Sequence, residues 1–333
     1  VTVRRIARQR LGLRAQVRRA LGAAVTDGVL GAAARSTRFL PGAHPGLYGV
    51  AVERDVPYLV DGQPRQRLDV YRPRAAGGGL RPCVLYLHGG GFRVLSKETH
   101  WLFSLAYARR GFVVVNADYR LAPAHPFPAA VEDVAAAYRW VVANAARLGV
   151  DPSRLVIAGE SAGANLAMSL TLATTFRRAE RFAAEVYETG VVPRAVVAAC
   201  GLFEVSRPER FRGQHAFFRD RVEEVAEAYL GGLHLPQALM DFADPVRALE
   251  RGEVPDRPLP PVFLPCGTWD FLLDDSRRLH RALIAAGSTR SRFEAYARGP
   301  HAFHALVFTS AARECWRDTF EFLDEAGALP ARG

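Results

Sequence analysis

The sequence predicts an α/β protein whose mostly parallel sheet is covered by helices on both faces, and three observations carry that expectation. Short apolar runs rich in β-branched residues alternate with helical stretches from about residue 83 onward. One such run, Leu155-Val156-Ile157-Ala158, leads through Gly159-Glu160-Ser161-Ala162-Gly163 into a helical stretch beginning Asn165-Leu166-Ala167. An aspartate and a histidine then follow later strand-like runs directly, at the strand ends where ligands gather in open α/β sheets.

With 333 residues the chain can bury a sizeable core, and its 49% apolar and 23% charged content is ordinary for a globular protein. A formal net charge of +10 favours solubility and contact with anions but does not specify a fold. No basic stripe interleaved with aromatics is present, so nucleic acid is not an expected partner. Cys83, Cys200, Cys266 and Cys315 are scattered, and most sit in apolar runs. They read as buried free thiols rather than a zinc cluster or a disulfide framework. No run approaches the roughly eighteen apolar residues of a membrane span, and the first residues lack a signal peptide's apolar core. A cytoplasmic location is therefore expected.

Residues 1–22 set Arg4, Arg5, Arg8, Arg10, Arg14, Arg18 and Arg19 around Ile6, Leu13, Val17 and Leu21. That spacing predicts an amphipathic basic helix, which could rest on an anionic membrane or pack its apolar side on the protein. A second helix is expected to about Ala34, then a loop at Pro41, Gly42, Pro45 and Gly46. Val52–Leu59 and Gln66–Tyr71 read as strands joined through Asp61-Gly62. Gly77-Gly78-Gly79 is a surface loop and, without a following helix and further glycine, no phosphate cradle. Strands follow at Cys83–Leu87, Phe112–Ala117, Leu155–Ala158, Ala195–Cys200, Val262–Cys266 and Arg292–Tyr296. Helices are expected over Glu98–Arg110, Ala129–Leu148 and Asp275–Ala286. Residues 203–250 interrupt the rhythm with a Phe-rich polar stretch and a helix near Arg221–Leu230, too long for an ordinary connection. They read as an insertion folded over the active site.

A serine between a buried strand and a helix is held on a sharp turn, its hydroxyl proud of the sheet beside free helix N–H groups. It becomes a nucleophile only with a base in reach and a carboxylate to orient that base. Gly267-Thr268-Trp269-Asp270 places Asp270 at one strand exit, and Arg298-Gly299-Pro300-His301 places His301 at the next. The order Ser161, Asp270, His301 is the one found in α/β-hydrolases. Asp274 is the reserve for the acid, since Asp270 could instead cap the following helix, and His304 reads as packed or exposed rather than as the base. A tetrahedral intermediate also needs backbone donors for its oxyanion. His88-Gly89-Gly90-Gly91-Phe92, just after the strand Cys83–Leu87, can bring them close without side-chain obstruction.

These stretches, with Asp118-Tyr119-Arg120-Leu121-Ala122-Pro123 and Phe127-Pro128, resemble the hormone-sensitive-lipase-like family of α/β-hydrolases, bacterial carboxylesterases and lipases, over roughly residues 66–325. The resemblance implies an α/β-hydrolase fold with a helical cap. Ser161 would be the nucleophile, His301 the base and Asp270 the orienting acid. The oxyanion hole would be the N–H groups of Gly90, Gly91 and Ala162, with Gly89 setting the turn and His88 bracing it. Asp118 and Arg120 would be structural, read here as an ion pair at a strand end. The cap would comprise N-terminal helices in 1–46 and the insertion 203–250, leaving 47–202 and 251–333 as core, and the basic N-terminal helix then belongs to the lid. Phe92, Phe203, Phe211, Phe217 and Phe218 are candidates to line an acyl pocket, although a Phe-rich stretch also reads as core. Glu160, Phe271 and Ala302 depart from the aspartate, proline and glycine usual in the family, and none removes a reacting atom.

The expected activity is hydrolysis of short- to medium-chain acyl esters with no metal or organic cofactor. The alternatives are an amidase or peptidase with the same triad, or a non-catalytic small-ligand receptor. A small-molecule ester is the expected partner. No membrane association is expected, and a homodimer is left open.

Overall fold

In a computed structural model, residues 28, 32, 36, 43–74, 79–232 and 235–329 are described. The basic helix expected over 1–22, most of the N-terminal cap segment 1–46, and Gly77 and Gly78 lie outside those residues. Eight strands form one sheet in the order β1-β2-β4-β3-β5-β6-β7-β8. They are β1 (Val50–Pro57), β2 (Arg67–Pro73), β3 (Arg81–Leu87), β4 (Val113–Ala117), β5 (Val150–Glu160), β6 (Ala195–Ala199), β7 (Val262–Gly267) and β8 (Arg292–Tyr296). β1 and β2 pair antiparallel, as does β2 with β4, and every pairing from β4 through β8 is parallel.

The side-chain period of two sorts the strands' residues onto two packed faces. Leu85, Leu87, Val115, Leu155 and Ile157 face α2 (Ala129–Ala143) and α4 (Ala162–Thr175). Val84, Tyr86, Val114, Val156 and Ala158 face α1 (Trp101–Ala108) and α10 (Ser310–Glu325). Burial on both sides explains why the central strands read as continuous apolar runs rather than as alternating ones. α4 has every residue buried, and its polar side chains are accommodated by donating to backbone carbonyls.

Further α-helices are α3 (Ala145–Leu148), α5 (Arg181–Tyr187), α6 (Ala216–Leu230), α7 (Gln237–Met240), α8 (Pro245–Glu250) and α9 (Leu273–Ala285). α6, α7 and α8 all lie between β6 and β7, in the stretch singled out by its length. Asn165 of α4 donates to the carbonyls of Leu202 and Ala243, and Ser169 donates to that of Phe242. The stretch is pinned to α9 as well, because Arg210 pairs with Asp275 and Arg278 with the buried Glu204. α6 leans on the glycine loop: Arg93 pairs with Glu224 at 3.3 Å, and the Phe92 and Tyr229 rings stack 3.7 Å apart.

One expected pairing is corrected. Asp118 and Arg120 do not pair with each other. Arg120 binds Asp133 and Glu132, while Asp118 accepts the Lys97 N–H at 2.7 Å and lies 3.4 Å from His88 Nε2. Each side chain anchors the chain after β4 through partners more than ten residues away in sequence. All four cysteines are buried and free. Among the described residues no helix is long and apolar enough to cross a membrane.

Candidate active site

β3 is followed by β4 on one side and by β5 on the other, so the sheet's winding reverses between β3 and β5. A crevice opens at such a switch point, beyond the strands' carboxyl ends. The glycine loop leaves β3 there and Ser161 leaves β5, with Leu87 paired to Gly159 in register. Ser161 has φ 53° and ψ −116°, a conformation that side-chain-bearing residues rarely adopt. Holding it costs on the order of 1–3 kcal/mol, offset by the packing around the turn. One clamp is the Ser161 N–H, which donates to Ala199 O at 2.9 Å.

Ser161, Asp270 and His301 come together. His301 Nε2 is 3.0 Å from Ser161 Oγ, and His301 Nδ1 is 2.9 and 3.1 Å from the Asp270 carboxylate oxygens. An ionised carboxylate only accepts, so Nδ1 carries the proton and Nε2 keeps a lone pair for the serine hydroxyl. The two loops are laced by their backbones: Trp269 N–H donates to Gly299 O, and Thr268 N–H to Tyr296 O. A Cβ on Gly267 would overlap Gly299, so this approach depends on glycine there. Asp270 also accepts the Leu272 N–H at 2.9 Å, so it serves the start of α9 as well as His301. Asp274, the reserve, is exposed in the first turn of α9 and pairs with Arg277.

Burial is the largest influence on His301 and pushes its pKa down, but the Asp270 charge and hydrogen bond, with a further contribution from the Glu160 charge, leave it raised. His304 is buried, and burial brings it down to about 4, so it is neutral near pH 7. Ala302 follows His301 in the left-handed region at φ 57°, a conformation that the usual glycine would adopt without a Cβ penalty.

Gly90 and Gly91 both take positive φ, 107° and 59°. Among the described residues, no hydrogen bond engages the N–H groups of Gly90, Gly91 or Ala162. His88 is buried, stacks on Tyr119 at 4.2 Å and donates from Nδ1 to Gly89 O at 2.7 Å. Tyr119 OH in turn donates to His88 O.

Phe92 and Phe203 are fully buried, the first under Tyr229 and the second folded over Gly201. Phe211 is also buried. Phe217 and Phe218 are half-buried, and Phe218 stacks on Phe271 at 4.8 Å. The Phe271 ring lies 5.0 Å from that of His301. Sequence reasoning noted Phe271 only as a departure, yet it bridges α6 and the imidazole. His100, which meets Glu160 at 3.1 Å, carried no local signal at all.

Two groups of ligand-type side chains converge within 4.8 Å: Glu160, Cys200 and His304, and Cys200, Asp270 and His301. Both share Cys200, whose thiol burial pushes well up and keeps protonated, a poor metal ligand.

Residues 84–305 match a protein family described by the α/β hydrolase fold. The chain is 34% identical to the carboxylesterase NlhH of Mycobacterium tuberculosis over 236 residues, covering 71% of this chain and 70% of that protein. It is 33% identical to an acetyl-hydrolase of Streptomyces hygroscopicus over 222 residues, 66% of this chain and 68% of that one. Among solved structures, the esterase LipW of Mycobacterium marinum is similar with a TM-score of 0.71 and 26% identity, over 97% of this chain and 98% of that chain.

Proposed function

Because this chain belongs to the α/β-hydrolase-fold family, in its hormone-sensitive-lipase-like branch, we propose that it is a serine carboxylesterase acting on short- to medium-chain acyl esters. The observation that carries the reading is the unbroken chain Asp270–His301–Ser161 beside three unengaged backbone N–H groups.

Ser161 Oγ attacks the ester carbonyl as His301 Nε2 takes its proton. The imidazolium keeps its Nδ1–H on Asp270, which fixes the ring and stabilises its charge. The tetrahedral oxygen is received by the N–H groups of Gly90, Gly91 and Ala162, each donor contributing about 3 kcal/mol at the transition state. His301 then returns the proton to the leaving alcohol, and an acyl-enzyme on Ser161 remains. Water attacks it with His301 again as base, His301 passes that proton to Ser161 Oγ as the acyl–oxygen bond breaks, and the acid leaves with Ser161 restored. Every proton transfer is served by these side chains, so the cycle needs no metal or organic cofactor.

In this reading residues 203–250 are a cap insertion, together with 1–46, over a core of 47–202 and 251–333. Phe217, Phe218 and Phe271 present half-buried faces beside His301 and form an acyl-pocket wall. The test is turnover of p-nitrophenyl butyrate beside its anilide analogue by the purified protein. Rapid hydrolysis of the ester with slow or no cleavage of the anilide supports the carboxylesterase. Preference for the anilide indicates an amidase, and binding without turnover a receptor.

A further inference from the structure

Glu160 ends β5, immediately before Ser161, and its carboxylate is buried. Oε1 accepts from His100 Nε2 at 3.1 Å, and the Gly89 amide nitrogen sits 3.3 Å from that same ring nitrogen. A Cβ on Gly89 would collide with Oε1, so the carboxylate lies directly against the glycine loop. Oε2 has no hydrogen-bond partner among the described residues. An orphaned, buried carboxylate oxygen is costly and calls for a reason. Burial alone would raise this carboxyl, but the His100 hydrogen bond and charge, with His304 and His301, bring it down to about 2, so it is ionised throughout the working range.

The groups facing His301 come from four elements. Asp270 from the β7 exit and Cys200 from the β6 exit lie with the ring within 4.8 Å; Glu160, at the end of β5, and His304, from the histidine's own turn, meet the same Cys200 within 4.8 Å and so stand one side chain further away. Cys200 and His304 are held neutral by burial, which leaves Asp270 and Glu160 as the anions acting on the ring. Asp270 reaches it by hydrogen bond; Glu160 acts through space, where low dielectric lets a charge be felt.

We propose that Glu160 is a positioning residue for the reaction, a second buried anion that favours the His301 imidazolium and, through its direct contact with Gly89, seats the serine turn against the glycine loop. The inference rests on the reading of Ser161, His301 and Asp270 given above. The same negative charge opposes the nearby oxyanion, so the size of kcat does not isolate the effect on His301. The acid limb of kcat/KM does, because it reports only when the imidazole of the free enzyme takes up its proton.

Glu160→Gln keeps the shape and removes the charge. The acid limb with p-nitrophenyl butyrate is expected to move to lower pH by about half a unit or more, with KM changed by less than about threefold. Glu160→Asp restores the charge but shortens the reach to His100. Its limb is expected to return to the parent's position while kcat stays about fivefold or more below the parent. A limb in Glu160→Gln within about 0.2 units of the parent overturns the proposal. Should Glu160→Gln not accumulate in folded form, Glu160→Asp decides: a limb displaced downward, or a kcat equal to the parent's, overturns it. Capture of Ser161 by a fluorophosphonate in the same preparations separates the two readings. A parent that is not captured sinks the triad and this inference with it, whereas a captured parent with an unmoved limb in Glu160→Gln sinks the inference alone.

Discussion

A Cβ on Gly163 would collide with the carbonyl oxygen of Leu87 and stand 2.7 Å from that of His88. The helix behind Ser161 therefore sits directly against the end of the strand that feeds the glycine loop. At this point the serine turn and the root of the glycine loop are packed backbone to backbone. Gly163→Ala should push the two apart and destabilise the fold by about 2–3 kcal/mol, the scale of overpacking a rigid core. Urea denaturation measures this, and a loss under about 0.5 kcal/mol would mean that the contact yields easily.

In the proposed mechanism His301 works as a base only when neutral, and although burial is the largest single influence and lowers its pKa, Asp270 and Glu160 together leave it raised. Activity should therefore fall as pH is lowered, with a midpoint above the unperturbed imidazole value of about 6.5. A kcat/KM profile on p-nitrophenyl butyrate reads the midpoint, and a rate level down to pH 5 contradicts the assignment of the base.

His304 gives a stability prediction with a definite sign. Its pKa in the folded protein is about 4, below the unfolded value of about 6.5. Between those values the unfolded chain binds a proton that the native state refuses, so this contribution is full above about pH 6.5 and is lost as pH falls towards 4. His88, also lowered by burial, acts in the same sense. His304→Phe, packed between Phe103 and Trp316, should flatten the decline in stability over that interval without abolishing it. Unfolding free energies at pH 7, 6 and 5 check this, and an unchanged slope would count against it.

Phe218 lies between Phe217 and Phe271, whose ring is next to that of His301, and in the proposed pocket it limits the room for an acyl chain. Among p-nitrophenyl esters, butyrate should be turned over faster than palmitate, and Phe218→Ala should move the optimum towards longer chains. An acyl-length series on both proteins measures it. A parent that favours palmitate, or a variant with the same optimum, removes Phe218 from the pocket wall.

Much of the fold was legible because its strands are local apolar runs. Leu155–Ala158 and Cys83–Leu87 are unmistakable as buried strands, and the exits at Asp270 and His301 follow from counting past Val262–Cys266 and Arg292–Tyr296. Side-chain partners were not legible in the same way. Asp118 and Arg120 are near neighbours in sequence, yet each binds residues brought in by other elements. Nor could His100 be tied to Glu160, because their meeting depends on how the start of α1 is seated against the sheet, and neither local period nor motif encodes that. The Phe-rich stretch divides for the same reason: Phe203 and Phe217 are alike in local composition, and only the tertiary fold buries one fully and leaves the other a half-exposed face.

The most direct test is fluorophosphonate labelling followed by peptide mass mapping, with Ser161→Ala and His301→Ala alongside the parent. One phosphonyl adduct per chain on Ser161 is expected in the parent and none in Ser161→Ala. Labelling should be strongly slowed in His301→Ala, and Ser161→Ala should lose about 10⁴-fold or more in kcat. An adduct on another residue, or ester hydrolysis that survives Ser161→Ala, would contradict the account at its centre.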